Sequence, residues 1–450
     1  MEEQGGRRRR LVLVPYPLQG HITPTLQLGT ILHSRGFSIT IAHSHFNSPD
    51  TSNHPDFVFL PLSDDSLSKY NHSDDIVAFI SNLNLSCKVP LQELLIEMIE
   101  KQEKCEELPC IIYDPIMYSA EAVARHLKLP SIMLRTTSVT FALSFYVYPK
   151  IQKEGYTPFQ DSKSLELVPE FHPFRFKDLT VFNLKSVDDF LQFVTTITNL
   201  QTSGMIWNSI DCLEQSSLAQ LRQKSQVPFF LIGPMHKLFP FPSSSLLEED
   251  RSCISWLDKQ TENSVLYVSF GSMATVEEKE VAEMTWGLAN SKQPFLWVIR
   301  PGSVLVSESV DLLLDDFKES VGERGCIVKW APQKEVLAHS AVGGFWTHCG
   351  WNSTLESVSE GVPMICRPFS ADQKLNGRYV SHVWRVGVEL ENGFERREIE
   401  RAIKLLMEEK EGEEIRQRAA ELKQELQLSI QKGGSSYNSL NELVELIMSV

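Results

Sequence analysis

Residues Trp330 to Gln373 read WAPQKEVLAHSAVGGFWTHCGWNSTLESVSEGVPMICRPFSADQ, and the order of residue types predicts a strand, a turn and a helix in succession. Gly343-Gly344-Phe345-Trp346-Thr347-His348 is a short apolar run ending in a polar pair, the pattern of a buried strand. Cys349-Gly350-Trp351 turns the chain, and Asn352 to Ser357 opens a helix that Gly361 and Pro363 stop. A strand that feeds a helix N-terminus builds an anion site, because first-turn amides lack intrahelical acceptors and the helix dipole favours negative charge. A diphosphate suits that chemistry. Ser353-x-x-Glu356 also admits a second reading, a capping box in which both side chains satisfy the helix's own amides. Its surroundings favour binding: Trp330 before a Pro-initiated turn, His348 at the strand end and Asp372-Gln373 after the next strand all fall at loop positions on one edge.

Outward from this stretch the chain alternates strand and helix. Leu11 to Pro15 reads as a strand, Thr23-Pro24 as a helix start, Gly36 as its stop and Phe37 to Ala42 as the next strand, a βαβ opening for a parallel sheet. No GxGxxG follows the first strand, which argues against a dinucleotide-dependent oxidoreductase. The turn instead carries His21, placed just outside a helix N-terminus whose dipole keeps an imidazole neutral, as a general base requires; the alternative is a turn histidine with no chemical role. A polar stretch from Asp64 to Asp75 reads as a loop, and a helical region follows from Ile76 to Glu103. Cys110 to Tyr113 and Ser131 to Leu134 are short buried strands, so Asp114 and the Arg135-Thr136-Thr137-Ser138 loop fall at strand C-terminal ends, where doubly wound sheets bind ligands. From Phe141 to Leu179 the chain is aromatic-rich. Gly233-Pro234 through Ser245 reads as a linker. A further strand, Ser264 to Phe270, ends in Gly271-Ser272-Met273-Ala274-Thr275 before a Glu-rich helix, a strand-glycine-helix turn that either binds a ligand or serves the structure alone. Near the C-terminus Leu440, Leu443, Leu446 and Ile447 form an apolar helical stripe.

With 450 residues and 42% hydrophobic content, the chain has material for two domains with sizeable cores. The formal charge of −15 disfavours a nucleic-acid or acidic-membrane partner, since both need a concentrated positive surface. Eight cysteines lie without a CxxC pair or zinc spacing and read as reduced thiols of a cytoplasmic protein. Arg7 to Arg10 followed by Leu11 to Val14 mimics a signal peptide, but Pro15 and Pro17 break the apolar run. No apolar span reaches the ~18 residues a membrane helix needs.

The Trp330–Gln373 stretch resembles the donor-binding signature of the plant family 1 UDP-glycosyltransferases. It matches at Trp330-Ala331-Pro332-Gln333, at His348-Cys349-Gly350-Trp351-Asn352-Ser353, at Glu356 and at Asp372-Gln373. Similar segments extend the resemblance over nearly the whole chain. Among them ITPTLQLGTILHSRGFSIT, SWLDKQ, QPFLWVIRPG and KGGSSYNSL resemble the subgroup with steviol-glycoside, cytokinin and small hydroxy-acid glucosyltransferases. The resemblance implies an α/β GT-B fold, two Rossmann-like domains with parallel sheets facing across a cleft. It assigns 1–233 to acceptor binding, 234–251 to a linker, 252–433 to UDP-sugar binding and 434–450 to a helix packing back on the first domain.

Roles follow residue by residue from the resemblance. His21 is the catalytic base and Asp114 its carboxylate partner. Trp330 stacks on uracil, with Ala331 and Gln333 nearby, and Glu356 accepts from the ribose. His348, Asn352, Ser353 and Ser272 hold the diphosphate, Gly350 is a further donor-binding residue, and Trp351, Asp372, Gln373 and Thr136 orient the sugar. Gln373 is the family's correlate of glucose. Leu18, Ile116, Met117, Phe141 and Phe145 are expected to line the acceptor pocket. The implied activity, in plant specialised metabolism, is inverting glucosyl transfer from UDP-glucose as co-substrate to a hydroxyl or carboxyl of a small, largely apolar metabolite, such as a terpenoid, phenolic or hormone-like compound. It needs no metal and no cofactor, and the protein is expected to be a monomer. The competing classes are a non-catalytic nucleotide-sugar-binding protein and a Rossmann-type oxidoreductase.

Overall fold

The computed structural model describes residues 9–62, 75–101, 109–154, 164–179, 186–241, 245, 247–304, 308–391 and 393–450. Residues 7–8 of the basic run, 64–74 of the polar stretch, 155–163 of the aromatic-rich stretch and 242–244 of the linker lie outside them. The chain forms two compact units, one of Met1–Gln160, Val181–Leu246 and Leu428–Val450, the other of Asp161–Thr180 and Leu247–Gln427. Residues 161–180 thus group with the second unit, although their sequence position is within 1–233. No helix among the described residues is long and apolar enough to cross a membrane.

The described residues of the first unit form seven strands: β1 (Arg10–Val14), β2 (Ser38–Ser44), β3 (Val58–Leu62), β4 (Cys110–Tyr113), β5 (Ser131–Arg135), β6 (Met205–Trp207) and β7 (Phe229–Leu231). They lie in the order β3-β2-β1-β4-β5-β6-β7, each pair parallel. Helices cover a parallel sheet on both faces, which is why these strands are Ile-, Val- and Leu-rich without alternation. Leu11, Leu13, Ile39, Ile112, Ile132 and Leu134 share one buried cluster, and the helix Ser435–Ser449 adds Leu440, Leu443 and Ile447 to it. Arg9, at the foot of β1, donates to the carbonyls of Ile447 and Val450.

The first helix corrects the sequence reading. It runs from Gln19 to Ser34 with Leu18 as its extended N-cap, so Pro24 lies inside it and His21 sits in its first turn rather than outside it. The amides of His21 and Ile22 both reach the Leu18 carbonyl at 2.9 Å, which starts the helix before the proline. Pro24 removes one intrahelical donor near the start, where few bonds are lost. The Thr25 hydroxyl donates to the His21 carbonyl at 2.8 Å.

The second unit holds β8 (Val265–Ser269), β9 (Phe295–Val298), β10 (Gly325–Val328), β11 (Val342–Thr347), β12 (Met364–Cys366) and β13 (Gly387–Glu389). Their order is β10-β9-β8-β11-β12-β13, again all parallel. The Glu-rich helix starts later than the turn after β8 suggests. It spans Glu278–Ser291 behind a Glu277/Glu280 capping box, and Val276 first bridges to Val304. At the strand ends Phe270, Trp346, Phe369 and Phe394 pack as one aromatic group. The Arg367 guanidinium lies 4.2 Å from the Phe394 centroid and 5.1 Å from that of Phe369.

An ionic cluster holds residues 164–179 within this unit. Arg175 donates to both oxygens of Glu391 at 3.0 Å and, through Nε and Nη2, to Asp178 at 3.0 Å. Lys177 and Arg378 complete the cationic side. Glu389 is poorly served: its Oε2 is buried without a hydrogen bond among the described residues and lies 3.6 Å from Arg175. Burial, then the neighbouring Asp178 and Glu391 carboxylates, push its pKa up to about 7. A raised carboxyl stabilises the fold fully below its ordinary value near 4.5 and loses that contribution as pH rises through about 7. Glu389→Gln should therefore melt a few degrees above wild type at pH 8, at roughly 2–4 °C per kcal/mol. The gain should shrink toward pH 5.5. Thermal unfolding at the two pH values checks this, and a variant less stable than wild type at pH 8 would contradict it.

Candidate functional site

Each sheet reverses its strand order once, between β1 and β4 in the first and between β8 and β11 in the second. Open parallel sheets bind ligands at such switch points, outside the strand C-termini, because the connections diverge there to opposite faces. His21 and Asp114 follow β1 and β4. Ser272 and His348 follow β8 and β11. Two polar constellations, one in each unit, therefore occupy equivalent places.

In the first unit His21 Nδ1 lies 2.6 Å from Asp114 Oδ2. The first turn of the helix carries His21, half-buried, and the loop after β4 carries Asp114, which is 1% exposed. The Ile116 amide donates to the other carboxylate oxygen at 2.9 Å and fixes its rotation. Facing Asp114, Nδ1 carries the ring proton, since an ionised carboxylate only accepts. Nε2 is then the basic nitrogen. Tyr16 packs edge-on to the imidazole, with centroids 5.0 Å apart. Thr136 lies in the same group, with Oγ1 2.8 Å from His21 Nδ1. Of the expected acceptor-lining residues Leu18 and Ile116 are half-buried, while Met117, Phe141 and Phe145 are buried. Phe141 and Phe145 contact each other edge-on at 5.0 Å, and Phe145 also meets Phe193.

In the second unit the turn after β11 is tight. Cys349 takes a left-handed φ of +64°, and the helix Trp351–Glu360 starts from Gly350 as its N-cap. The capping box that Ser353 and Glu356 could form is not made, and Gly350 has taken the cap position. Instead Gln333 Nε2 donates to Ser353 Oγ at 2.9 Å and to Glu356 Oε2 at 2.7 Å, while its Oε1 accepts from Tyr267 at 3.2 Å. Gln333 thus ties the turn after Trp330 to the helix. Ala331 is buried and Trp330 half-buried beside it.

His348 sits between two glycines. A Cβ on Gly271 would lie 2.6 Å from its ring, and one on Gly350 would lie 2.5 Å from Nε2. Gly271 also has φ +72°. Burial pushes the His348 pKa down to about 4, so the ring is neutral near pH 7. Its Nδ1 is buried with no hydrogen-bond partner among the described residues. Ser272 and Asn352 are half-buried, whereas the Trp351 side chain is buried near Trp384. Gln373 accepts through Oε1 from the amides of Phe369 at 2.8 Å and Ser370 at 3.0 Å, which leaves its amide N–H groups as the end that can donate to a ligand.

Asn376 escaped the sequence reading. Its Nδ2 donates to the Cys349 carbonyl at 2.9 Å and to Asp372 Oδ2 at 2.8 Å, joining the two halves of the motif. The available signal was its i+4 spacing from Asp372 on a helix face. No group of three or more His, Cys, Asp or Glu that could hold a metal occurs among the described residues.

Two parallel α/β units, each with polar groups at its switch point, define a two-domain Rossmann-like architecture of the nucleotide-binding kind. Residues 245–423 match the family model described as "UDP-glucoronosyl and UDP-glucosyl transferase". The chain is 50% identical over 448 residues to UDP-glycosyltransferase 76E1 of Solanum lycopersicum, covering 99% of this chain and 93% of that one. It is 46% identical over 457 residues to the flavonol 3-O-glucosyltransferase UGT76E12 of Arabidopsis thaliana, with 100% and 99% covered. Among solved structures, Phytolacca americana UGT2 complexed with UDP-2fluoro-glucose and pterostilbene superposes with TM-score 0.84 at 26% identity, covering 99% of this chain and 100% of that one. The chain belongs to the plant family 1 UDP-glycosyltransferases, enzymes of GT-B fold.

Proposed function

We propose that this enzyme is an inverting glucosyltransferase that moves glucose from UDP-glucose to a hydroxyl or carboxyl group of a small, largely apolar plant metabolite. The observation that carries the reading is the His21–Asp114 pair, 2.6 Å apart at the switch point of the first sheet. His21 Nε2 takes the acceptor proton. The acceptor oxygen attacks C1 of glucose from the face opposite the diphosphate, the C1–O bond breaks, and UDP leaves with the bonding pair. Asp114 holds the ring tautomer and stabilises the imidazolium that forms.

The donor lies against the second unit in this reading. Trp330 stacks on uracil near Ala331 and Gln333, and Glu356 accepts from the ribose. Ser272, His348, Gly350, Asn352 and Ser353 meet the diphosphate. With His348 neutral, the charge that builds on UDP is met by N–H and O–H dipoles and the helix N-terminus, which act where charge develops. Asp372, Gln373 and Trp351 orient the sugar, and the donating end of Gln373 suits a sugar hydroxyl acting as acceptor. The acceptor meets Leu18, Ile116, Met117, Phe141 and Phe145. Flavonols and stilbenes head the panel to try, since a flavonol glucosyltransferase and a pterostilbene complex are among the relatives.

The scheme uses no metal. Purified protein given UDP-glucose and a panel of phenolic, terpenoid and hydroxy-acid acceptors should release UDP with at least one of them, at a rate that EDTA leaves unchanged. Strict dependence on added magnesium or manganese would overturn the metal-free scheme. Failure with every acceptor would favour a binding protein.

A further inference from the structure

We infer that Glu214 is a positioning residue for the acceptor: it holds the start of the helix Val139–Lys153, which carries Phe141 and Phe145, and thereby sets how that wall fits an acceptor. The inference rests on the reading of Phe141 and Phe145 as acceptor-lining residues. Glu214 is the N-cap residue of its own helix, Gln215–Arg222, yet its side chain makes no cap bond there. It is buried and turns to the neighbouring helix instead.

Both oxygens of the carboxylate are engaged. Oε2 accepts from the Val139 amide at 2.9 Å and the Ser209 hydroxyl at 2.8 Å, while Oε1 accepts from the Thr140 amide at 2.9 Å and the Thr140 hydroxyl at 2.8 Å. The Ser138 hydroxyl takes the next amide, that of Phe141, at 3.2 Å. First-turn amides have no acceptor within their own helix, so Glu214 and Ser138 together satisfy the first three of this one. The two caps differ in what they tie down. Ser138 fixes the helix to its own approach, whereas Glu214 fixes it to the loop after β6, itself held by the Gly233 amide on the Ser209 carbonyl at 2.9 Å. Each carboxylate oxygen holds one backbone amide, so a glutamine in either orientation would set its NH2 against one of them.

The consequence falls downstream of the grip. Upstream, Arg135 is paired with Trp207 of β6 and Thr136 has its own contacts with His21 and Asp114. Downstream, Phe141 directly follows Thr140, and its ring meets Phe145, which in turn meets Phe193. A first turn that loses its outside acceptor shifts, and the Phe141 ring shifts with it. Apolar pockets discriminate by fit, at roughly 10–200-fold per methylene, so a small displacement of one wall changes the relative use of large and small acceptors.

Steady-state kinetics of Glu214→Gln test the inference, with the largest and the smallest acceptor that the wild type glucosylates among phenolics, terpenoids and hydroxy acids. The ratio of kcat/KM between the two should change about threefold or more, while the KM for UDP-glucose stays within about twofold. Val139→Pro is the second variant and carries the test if Glu214→Gln does not fold. It deletes one of the two amides that Glu214 holds, at a first helical position where proline is tolerated, and should move the ratio by about twofold or more. Ser209→Ala is the control, since it takes a hydroxyl from the carboxylate and leaves both amides in place: it should lower Tm without moving the ratio. A ratio that stays at the wild-type value in the first two variants, or that Ser209→Ala moves as far, would reduce Glu214 to a stabilising cap and overturn the inference. Phe145→Ala run alongside separates the two layers. If it leaves the KM of both acceptors unchanged, the acceptor reading fails and carries this inference with it, whereas an altered Phe145→Ala beside an unaltered Glu214→Gln sinks only the inference.

Discussion

Alanine at position 21 should lower kcat for glucosyl transfer by about 10²–10⁴-fold, the range a positioned general base contributes, with UDP affinity and melting temperature close to wild type. Stability should hold because His21 is half-buried at the start of a helix, where its side chain meets Asp114, Thr136 and the edge of Tyr16. UDP affinity should hold because the residues proposed to bind the donor belong to the second unit, whereas His21 belongs to the first. Asp114→Asn should approach the same loss by a different route. An amide in place of the carboxylate can offer N–H to Nδ1, favouring the tautomer with its proton on Nε2, where the base must be empty. Single-turnover measurements with an acceptor the wild type glucosylates distinguish the chemical step from binding. Near-wild-type transfer by His21→Ala would remove the base assignment.

Gly271→Ala is expected to damage the other constellation. The new Cβ would stand 2.6 Å from Cε1 and Nε2 of His348, a separation that real atoms do not tolerate. Gly350 also packs close to the same ring, where a Cβ would stand 2.5 Å from Nε2. The backbone adds its own cost: φ is +72°, and a left-handed conformation disfavours L-residues by roughly 1–2 kcal/mol. We expect UDP affinity to fall at least about tenfold, which is 1.4 kcal/mol, with a lower melting temperature. Calorimetric titration with UDP reads the first effect directly. Affinity within twofold of wild type would mean that His348 and the turn after β8 stand apart from the diphosphate.

Most strands of both sheets were legible in the sequence because they are short apolar runs, and buried parallel strands need no alternation to be recognised; the edge strands β3 (Val58–Leu62) and β13 (Gly387–Glu389) were not read. The Trp330–Gln373 stretch was legible as a family signature because it is a fixed order of residue types. What the linear order does not carry is contact between distant segments. The packing of Gly271 on His348 spans the gap between two strands, and a local reading registers Gly271 only as a turn. The Arg175 cluster joins residue 175 to 389 and 391, far apart along the chain. Thr136 stands in the expected loop, yet its partner His21 is more than a hundred residues away. The misjudged start of the first helix has another cause. Proline at the first turn is the commoner arrangement, and here the Leu18 carbonyl recruits two amides ahead of it. Likewise Ser353 and Glu356 matched a cap, but Gly350 had already ended the extended segment.

The helix Ser435–Ser449 contributes Leu440, Leu443 and Ile447 to a core that otherwise draws on the first 240 residues of the chain. During synthesis that core stays incomplete until Ile447 has emerged, by which time the whole second unit has been made. The residues that close the first core are therefore made after every residue of the second unit, so its last apolar face is covered from the far end of the described chain.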